Sequence, residues 1–365
     1  MALTSTHRNE RRILALDIGG SKTLSALVSV ETDASGVRSA RARHIARRAL
    51  AKDSGQEGVW RAITSAVEET LETARATYGD FDLIGATIPG VADPAVGLWI
   101  YAPYSGIVNF PIGERLAQKF NKPVFADNDV NACAWGEKIF GVCQEHDDFL
   151  WVTVSNGIGG GLVLNGRPYA GKFSGAAEIG HFCVVENGAV CGCGNRGCLE
   201  ATAAGPAIAR TYCEMVDDSA KGASSVSLDR TLAWLSYLGG VYGKTNLDDI
   251  NLELETQSAR KVDAAMIAAE ARRGNPLAQE VFRNVGFHLG RALAWAANLI
   301  NPEKIVIGGG VAGAFDLFYP TLADTLHERL FKPVNKTLTV EKTGLGYEAG
   351  LLGAAALAYN NPYVI

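Results

Sequence analysis

The sequence predicts a mixed α/β protein built from two like halves, and three observations carry that prediction. Two apolar runs, "RRILALDIGGSKTLSALVSV" and "FLWVTVSNGIGGGLVLNGRPY", each break at glycines and resume as a second run, the pattern of a β-hairpin with a glycine-rich turn. Amphipathic helical segments lie between and after these hairpins. The chain has 365 residues, 47% of them apolar, which suits two domains or one duplicated unit better than a single small module.

The opening "MALTSTHRNERR" is polar and has no signal-peptide core, and no later apolar run reaches membrane-spanning length. A net charge of −5 gives no basic field for a nucleic-acid backbone. A cytoplasmic protein with neither a nucleic-acid nor a membrane partner is the expectation. Seven cysteines make an odd set, so a disulfide framework is not expected. Cys133, Cys143 and Cys213 fall in or beside helical patterns and read as small buried hydrophobes.

The first glycine turn, "DIGGSKT", runs from Asp17 through Gly19, Gly20, Ser21, Lys22 and Thr23 into a strand pattern. A dinucleotide fingerprint or a P-loop would need a helix there, so neither applies. Glycine lets backbone N–H groups approach a phosphate, and the same property makes it the default residue of a ligand-free turn. The second turn, Asn156 and Gly157 with the glycines through Gly161, and a third glycine cluster in "KIVIGGGVAGAFDLF", including Gly309 and Gly310, shift the balance toward a nucleotide held between two lobes. Asp17 ends its strand beside the first turn, where a carboxylate can organise Mg²⁺ through water or cap turn N–H groups.

"KPVFADNDVNACAWGEKIFG" passes from a strand into a helix with Asp127, Asn128, Asp129 and Asn131 at the junction. One cap explains one of them, not four. A carboxylate at such an elbow can accept the proton of a substrate hydroxyl during phosphoryl transfer.

"EIGHFCVVENGAVCGCGNRGCLE" gathers His181, Cys191, Cys193 and Cys198, with glycines that let the chain fold around one ion. Three thiolates and an imidazole suit tetrahedral Zn²⁺, and four protein ligands leave no open position, so the metal is expected to be structural. Cys183 reads as a core-facing spare. If zinc holds one nitrogen of His181, the other can face a polyol, with Glu178 and Glu200 brought to the same locality as acceptors or as supports of the histidine.

At this point the chain resembles the ROK family of sugar kinases and related repressors. "LALDIGGSKT", "FADNDVNACAWGE", "VSNGIGGGLVLNG", "GAAEIGHFCVVENGAVCGCGNRGCLEATAAGPAIA" and "NPEKIVIGGGV" match its motifs in order over nearly the whole chain. The resemblance implies an actin-like, ribonuclease-H-like fold of two α/β lobes with ATP and sugar in the cleft. It implies a small lobe over 1–127, to which a helix of about 348–365 returns, and a large lobe over 128–347 carrying the zinc loop. The polar stretch 216–261 reads as an insertion on the large lobe. By the same resemblance Asp129 is the general base, Gly90, Asn128, Glu178, His181 and Glu200 contact the sugar, and the protein is a homodimer or homotetramer using ATP and Mg²⁺.

Two departures stand out. Ser155-Asn156-Gly157 replaces the Gly-Thr-Gly common at the second phosphate turn, and "APYSGIVNF" places Tyr104 and Ile107 where the family often has Pro-Asn and then Trp. The expected activity is phosphorylation of a hexose at its primary hydroxyl, glucose ahead of N-acetylmannosamine or N-acetylglucosamine. A non-catalytic sugar-binding protein and a repressor of the same fold are the alternatives. Repressors of this kind usually carry an N-terminal helix-turn-helix domain, whereas a short polar tail precedes the first strand here.

Overall fold

The first expected hairpin forms as β1 (Arg12–Ile18) and β2 (Lys22–Thr32), with Ile18 opposite Thr23 across a tight turn. This computed structural model describes residues 11–50, 55–78, 80–102, 106–222 and 262–363. β3 (Arg38–Ala49) extends the hairpin, and after α1 (Gly55–Tyr78) the strand β4 (Leu83–Ile88) joins β1 in parallel. A small antiparallel sheet of β5 (Val91–Asp93), β6 (Leu98–Ala102) and β7 (Ile107–Phe110) follows. Helix α2 (Ile112–Phe120) leads to β8 (Val124–Asn128), which completes the order β3-β2-β1-β4-β8.

The second half repeats this plan. Helix α3 (Asp129–Phe140) leads to the hairpin β9 (Phe149–Val154) and β10 (Ile158–Leu164), extended by β11 (Arg167–Pro168). Helices α4 (Leu199–Ala203), α5 (Gly205–Gly222), α6 (Ala264–Arg272) and α7 (Pro276–Ile300) come next. β12 (Lys304–Gly308), α8 (Phe315–Arg329), β13 (Thr339–Lys342) and α9 (Ala349–Tyr359) finish the chain of elements. β12 is parallel to β9 and β13 to β12, giving β11-β10-β9-β12-β13. Each sheet is thus three antiparallel strands continued on one side by two parallel ones, and the order of strands corresponds one to one.

Three cores hold the layers together. One covers the first sheet on the side of α1 and α2, and one lies under α4 to α8 on the second sheet. The third joins the sheets: Ile13 and Val28 of the first, Trp151 and Val306 of the second, and α3 and α9 between them. Helix α9 is apolar on every side and nearly every residue from Ala349 to Ala358 is buried, as a helix sandwiched between layers requires. Its small residues permit close approach: a Cβ at Gly85 of β4 would lie 1.8 Å from the Ala354 carbonyl oxygen.

Several expectations are corrected here. The glycines from 157 to 161 do not form one turn, because β10 begins at Ile158 and the turn is closed by Ser155 N–H donating to Gly157 O at 2.9 Å. Gly160 and Gly161 are instead packing positions, where a Cβ would meet Ala177 O at 2.6 Å and Val130 O at 2.8 Å. The stretch 216–261 is described only at its start, where α5 continues through Gly222; residues 223–261 lie outside the described residues, as does Tyr104. Ile107 is wholly buried in the core under α1 and α2. Cys133 and Cys143 are buried as expected, but Cys213 on α5 and Cys183 are exposed, Cys183 in a strand-like segment that pairs with Cys198.

Candidate active site

The elbow is built by β8 and the first turn of α3. Asn128 is the cap: its Oδ1 accepts from the N–H groups of Val130 (2.9 Å) and Asn131 (3.2 Å), two donors the helix start leaves open. Its Nδ2 donates to Gly90 O at 2.7 Å, fixing the turn after β4. Gly90 has φ +87° and a Cβ there would lie 2.4 Å from Tyr101 O, so only glycine fits between the elbow and the small sheet.

The two aspartates beside Asn128 differ in commitment. Asp127 is 1% exposed; its Oδ1 accepts from Asn128 N–H at 2.6 Å and its Oδ2 takes a short hydrogen bond from the Tyr363 hydroxyl. Burial raises its pKa to about 6 against the pull of those donors. Asp129 is half-buried and accepts from Val130 N–H at 3.0 Å. Burial, then the negative charge of Asp17, raises it to about 7, where a carboxylate is a competent base near neutrality.

Asp17 ends β1 next to the first turn. Thr87 Oγ1 donates to Asp17 Oδ1 at 3.0 Å, and the start of α9 closes on it, with a Cβ at Gly350 only 2.6 Å from the carboxyl carbon. Burial raises its pKa, opposed by Thr87 and by the charge of Lys22. Gly19, Gly20 and Ser21 form the turn, with Gly19 N–H donating to Lys22 O at 2.9 Å. Lys22 reaches the Tyr347 hydroxyl at 3.4 Å. Thr23 departs from expectation: it is fully buried inside β2, so its hydroxyl is not offered at the turn.

In the second half three glycine-bearing segments converge at the ends of β9 and β12. Gly205 N–H, at the start of α5, donates to Ser155 O at 2.7 Å. Gly309 has φ +84° and a Cβ there would lie 2.5 Å from Val154 O, so the turn after β12 abuts the turn bearing the exposed Asn156. Beyond it, Gly310, Val311 and Gly313 face Ala264, Ala268 and Arg272 of α6 across a cavity of about 120 Å³.

The loop bearing His181 and the cysteines folds against the same turn. Ligand atoms of His181, Cys191, Cys193 and Cys198 all lie within 4.8 Å of one another. His181 Nδ1 is 3.7 Å from Cys191 Sγ, and Cys193 Sγ is 3.7 Å from Cys198 Sγ. Thiolates bound to one tetrahedral zinc at about 2.3 Å would stand ~3.8 Å apart, so the donor set and its spacing fit that ion. His181 turns Nε2 toward Glu178 Oε2 at 3.8 Å. Glu200 is split: Oε2 accepts from Ile158 N–H at 3.0 Å, while Oε1 lies 3.7 Å from Cys191 Sγ. One carboxylate therefore ties the cysteine loop to the second glycine turn.

The structure thus brings Asp17, Asn128 and Asp129 together at one end of the first sheet, and Gly157, Glu200 and the His181, Cys191, Cys193 and Cys198 set together on the second, with β10 between elbow and loop. Sequence reasoning missed Thr87 and Tyr363. Each acts across a long stretch of chain, 70 and 236 residues from its partner, with no local pattern to mark it.

The sequence pattern of the ROK family matches residues 13–361. The chain is 30% identical over 347 residues to a glucokinase of Thermotoga maritima, covering 95% of this chain and 96% of that protein. It is 29% identical over 302 residues to the DNA-binding transcriptional dual regulator NagC of Escherichia coli K12, covering 83% of this chain and 66% of that one. Its fold matches that of a ROK family glucokinase from Streptomyces griseus, solved with glucose and AMPPNP, at a TM-score of 0.73 and 29% identity over 96% of this chain and all of that one. With the family pattern running from the first strand to the tail beyond the last helix, on the two-lobed fold those relatives share, the chain belongs to the ROK family.

Proposed function

We propose that the protein is an ATP-dependent sugar kinase that phosphorylates a hexose, glucose or a close relative, at its C6 hydroxyl. The observation that carries this reading is Asp129: a carboxyl at the head of α3, held near pKa 7 by burial and by Asp17, on a backbone fixed by the Asn128 cap. Glucokinases at about 30% identity over nearly the full length support the substrate class.

In the reaction Asp129 takes the proton as the sugar oxygen attacks the γ-phosphorus, and ADP leaves with the β–γ bridging oxygen. N–H groups of the turns at Gly19, Gly20 and Ser21 and at Asn156 and Gly157 stabilise charge on the phosphoryl oxygens, with Lys22 adding a cation. Mg²⁺ organised through water by Asp17 would supply further neutralisation. Gly309 and Gly310 carry the chain toward the cavity under α6, which suits the nucleoside end of ATP. Gly90 and Asn128 face the hydroxyls near C6, while Glu178, His181 and Glu200 read the C1 and C2 side, with zinc making that end rigid.

The net charge of −5 supports a protein without a nucleic-acid partner. Exposed Phe287, Trp295 and Leu299 on α7 support assembly as a homodimer or homotetramer. The regulator relative keeps a second reading alive, sugar sensing without turnover. A coupled ATP-consumption assay against glucose, mannose, N-acetylglucosamine and N-acetylmannosamine decides. Glucose or mannose should lead in kcat/KM; a tenfold preference for an acetylated sugar reverses the substrate ranking, and no turnover with any of them favours the sensor.

A further inference from the structure

The tail beyond α9 returns to the back of the catalytic elbow. Asn360 O accepts from Trp135 Nε1 of α3 at 2.7 Å, Asn361 Oδ1 accepts from Tyr363 N–H at 3.0 Å, and Tyr359 packs on Phe140 with ring centroids 5.7 Å apart. The bond from Trp135 holds the tail and the Tyr359–Phe140 packing holds the end of α9, neither of them using the Tyr363 hydroxyl. That hydroxyl instead donates to Asp127 Oδ2, on a carboxyl that is wholly buried at the end of β8.

From Asp127 the bonds continue in one direction. Its other oxygen holds Asn128 N–H, Asn128 caps α3 and grips Gly90, and Asp129 is the next residue. We propose that Tyr363 is a positioning residue of the elbow: by holding the Asp127 carboxylate it fixes the Asn128–Asp129 peptide and so aims the Asp129 carboxyl. The inference rests on the kinase reading for its kinetic consequence, not for its geometry.

A buried carboxylate oxygen that loses its donor stays desolvated, so the elbow relaxes or Asp127 takes up a proton. The titratable groups around the two carboxylates are Asp17 on β1, Cys133 and Glu137 on α3, and Tyr363 in the tail. Burial and the charge of Asp127 hold the Tyr363 phenol well above its ordinary range, so it remains a donor at all working pH values. Asp127 in turn raises Asp129 when ionised. Removing the hydroxyl should therefore move Asp129 downward in pKa, a change that simple loss of tail packing does not produce.

The test compares Tyr363→Phe, Asp127→Asn, the double variant and Trp135→Phe with the full-length wild type. Tyr363→Phe should lower kcat about tenfold, change sugar KM less than twofold, and shift the acid limb of kcat/KM to lower pH. It should have no further effect on the Asp127→Asn background. Trp135→Phe, which removes the indole hydrogen bond to the tail but keeps the Tyr363–Asp127 bond, should leave the acid limb in place. Carboxyl ¹³C titration of aspartate-labelled wild type and Tyr363→Phe gives a readout independent of turnover. Unchanged Asp127 and Asp129 titrations overturn the proposal even if the kinase reading stands. A shifted titration in a protein that turns over no sugar supports the proposal and removes the kinase reading.

Discussion

Glu200 leaves no room for a side chain at Gly157: a Cβ there would lie 2.5 Å from Glu200 Oε2, the oxygen that holds Ile158 N–H. Gly157→Ala should push Glu200 off the turn and loosen the loop that carries Asn156. We expect kcat/KM for ATP to fall at least tenfold with the fold retained, read by steady-state kinetics alongside circular dichroism. Wild-type ATP kinetics in this variant would show that the contact does not shape the turn.

Asp129→Asn keeps the size of the side chain and loses the proton acceptor. Turnover should drop about a thousandfold, within the span general-base removal covers, while sugar affinity by calorimetry changes less than about threefold. Retained turnover would make Asp129 a helix-end residue only.

The same carboxyl sets a pH dependence of opposite sign for activity and stability. Activity should rise through about pH 7 as Asp129 loses its proton. Stability moves the other way: a carboxyl whose folded pKa lies above its unfolded value favours the folded state fully below pH ~4, and loses that contribution as pH rises through the folded value. Asp129→Asn should thus melt above wild type at pH 8 and by a smaller margin at pH 5, a tenfold difference in proton affinity between the folded and unfolded chains being worth ~1.4 kcal/mol. Equal margins at the two pH values would mean that Asp129 is not raised.

Metal analysis of protein purified without chelator should give one zinc per chain, motivated by the 3.7 Å spacings in the His181 and Cys191–Cys198 set. Cys193→Ser should lower the zinc content and the melting temperature together. Because Glu200 joins the loop to the turn at Ile158, the variant should also weaken ATP use, not sugar use alone. A zinc-free protein of unchanged stability would refute the structural role.

Much of the site was legible because its signals are local. Hairpins announce themselves by apolar runs around glycine, the His/Cys cluster by three cysteines within eight residues, and the elbow by polar residues crowded where a strand becomes a helix. What escaped depended on distant packing. Gly161 looks like a turn residue until α3 is laid across β10, and Gly160 until the segment at Ala177 is laid on the strand's other face. Thr23 looks like a phosphate ligand until the pleat turns it inward. Cys183 and Cys213 look like core residues until the cysteine loop and α5 are placed at the surface. Tyr363 and Thr87 meet their aspartates only through the finished fold, as does Thr343, whose hydroxyl donates to buried Glu137 from across the interface between α3 and β13.

Helix α9 carries a consequence for synthesis. The strands it covers, β1, β4 and β8, emerge from the ribosome early, yet the helix that seals their inner face comes more than two hundred residues later. Until then the nascent first half presents an unsheltered apolar sheet whose closing contacts are of the longest sequence separation, the condition in which folding is slow and chains associate wrongly. A ribosome paused before residue 349 should hold a chain that is protease-sensitive across residues 11–128 and dependent on chaperones, and protection should arrive in one step once α9 is released.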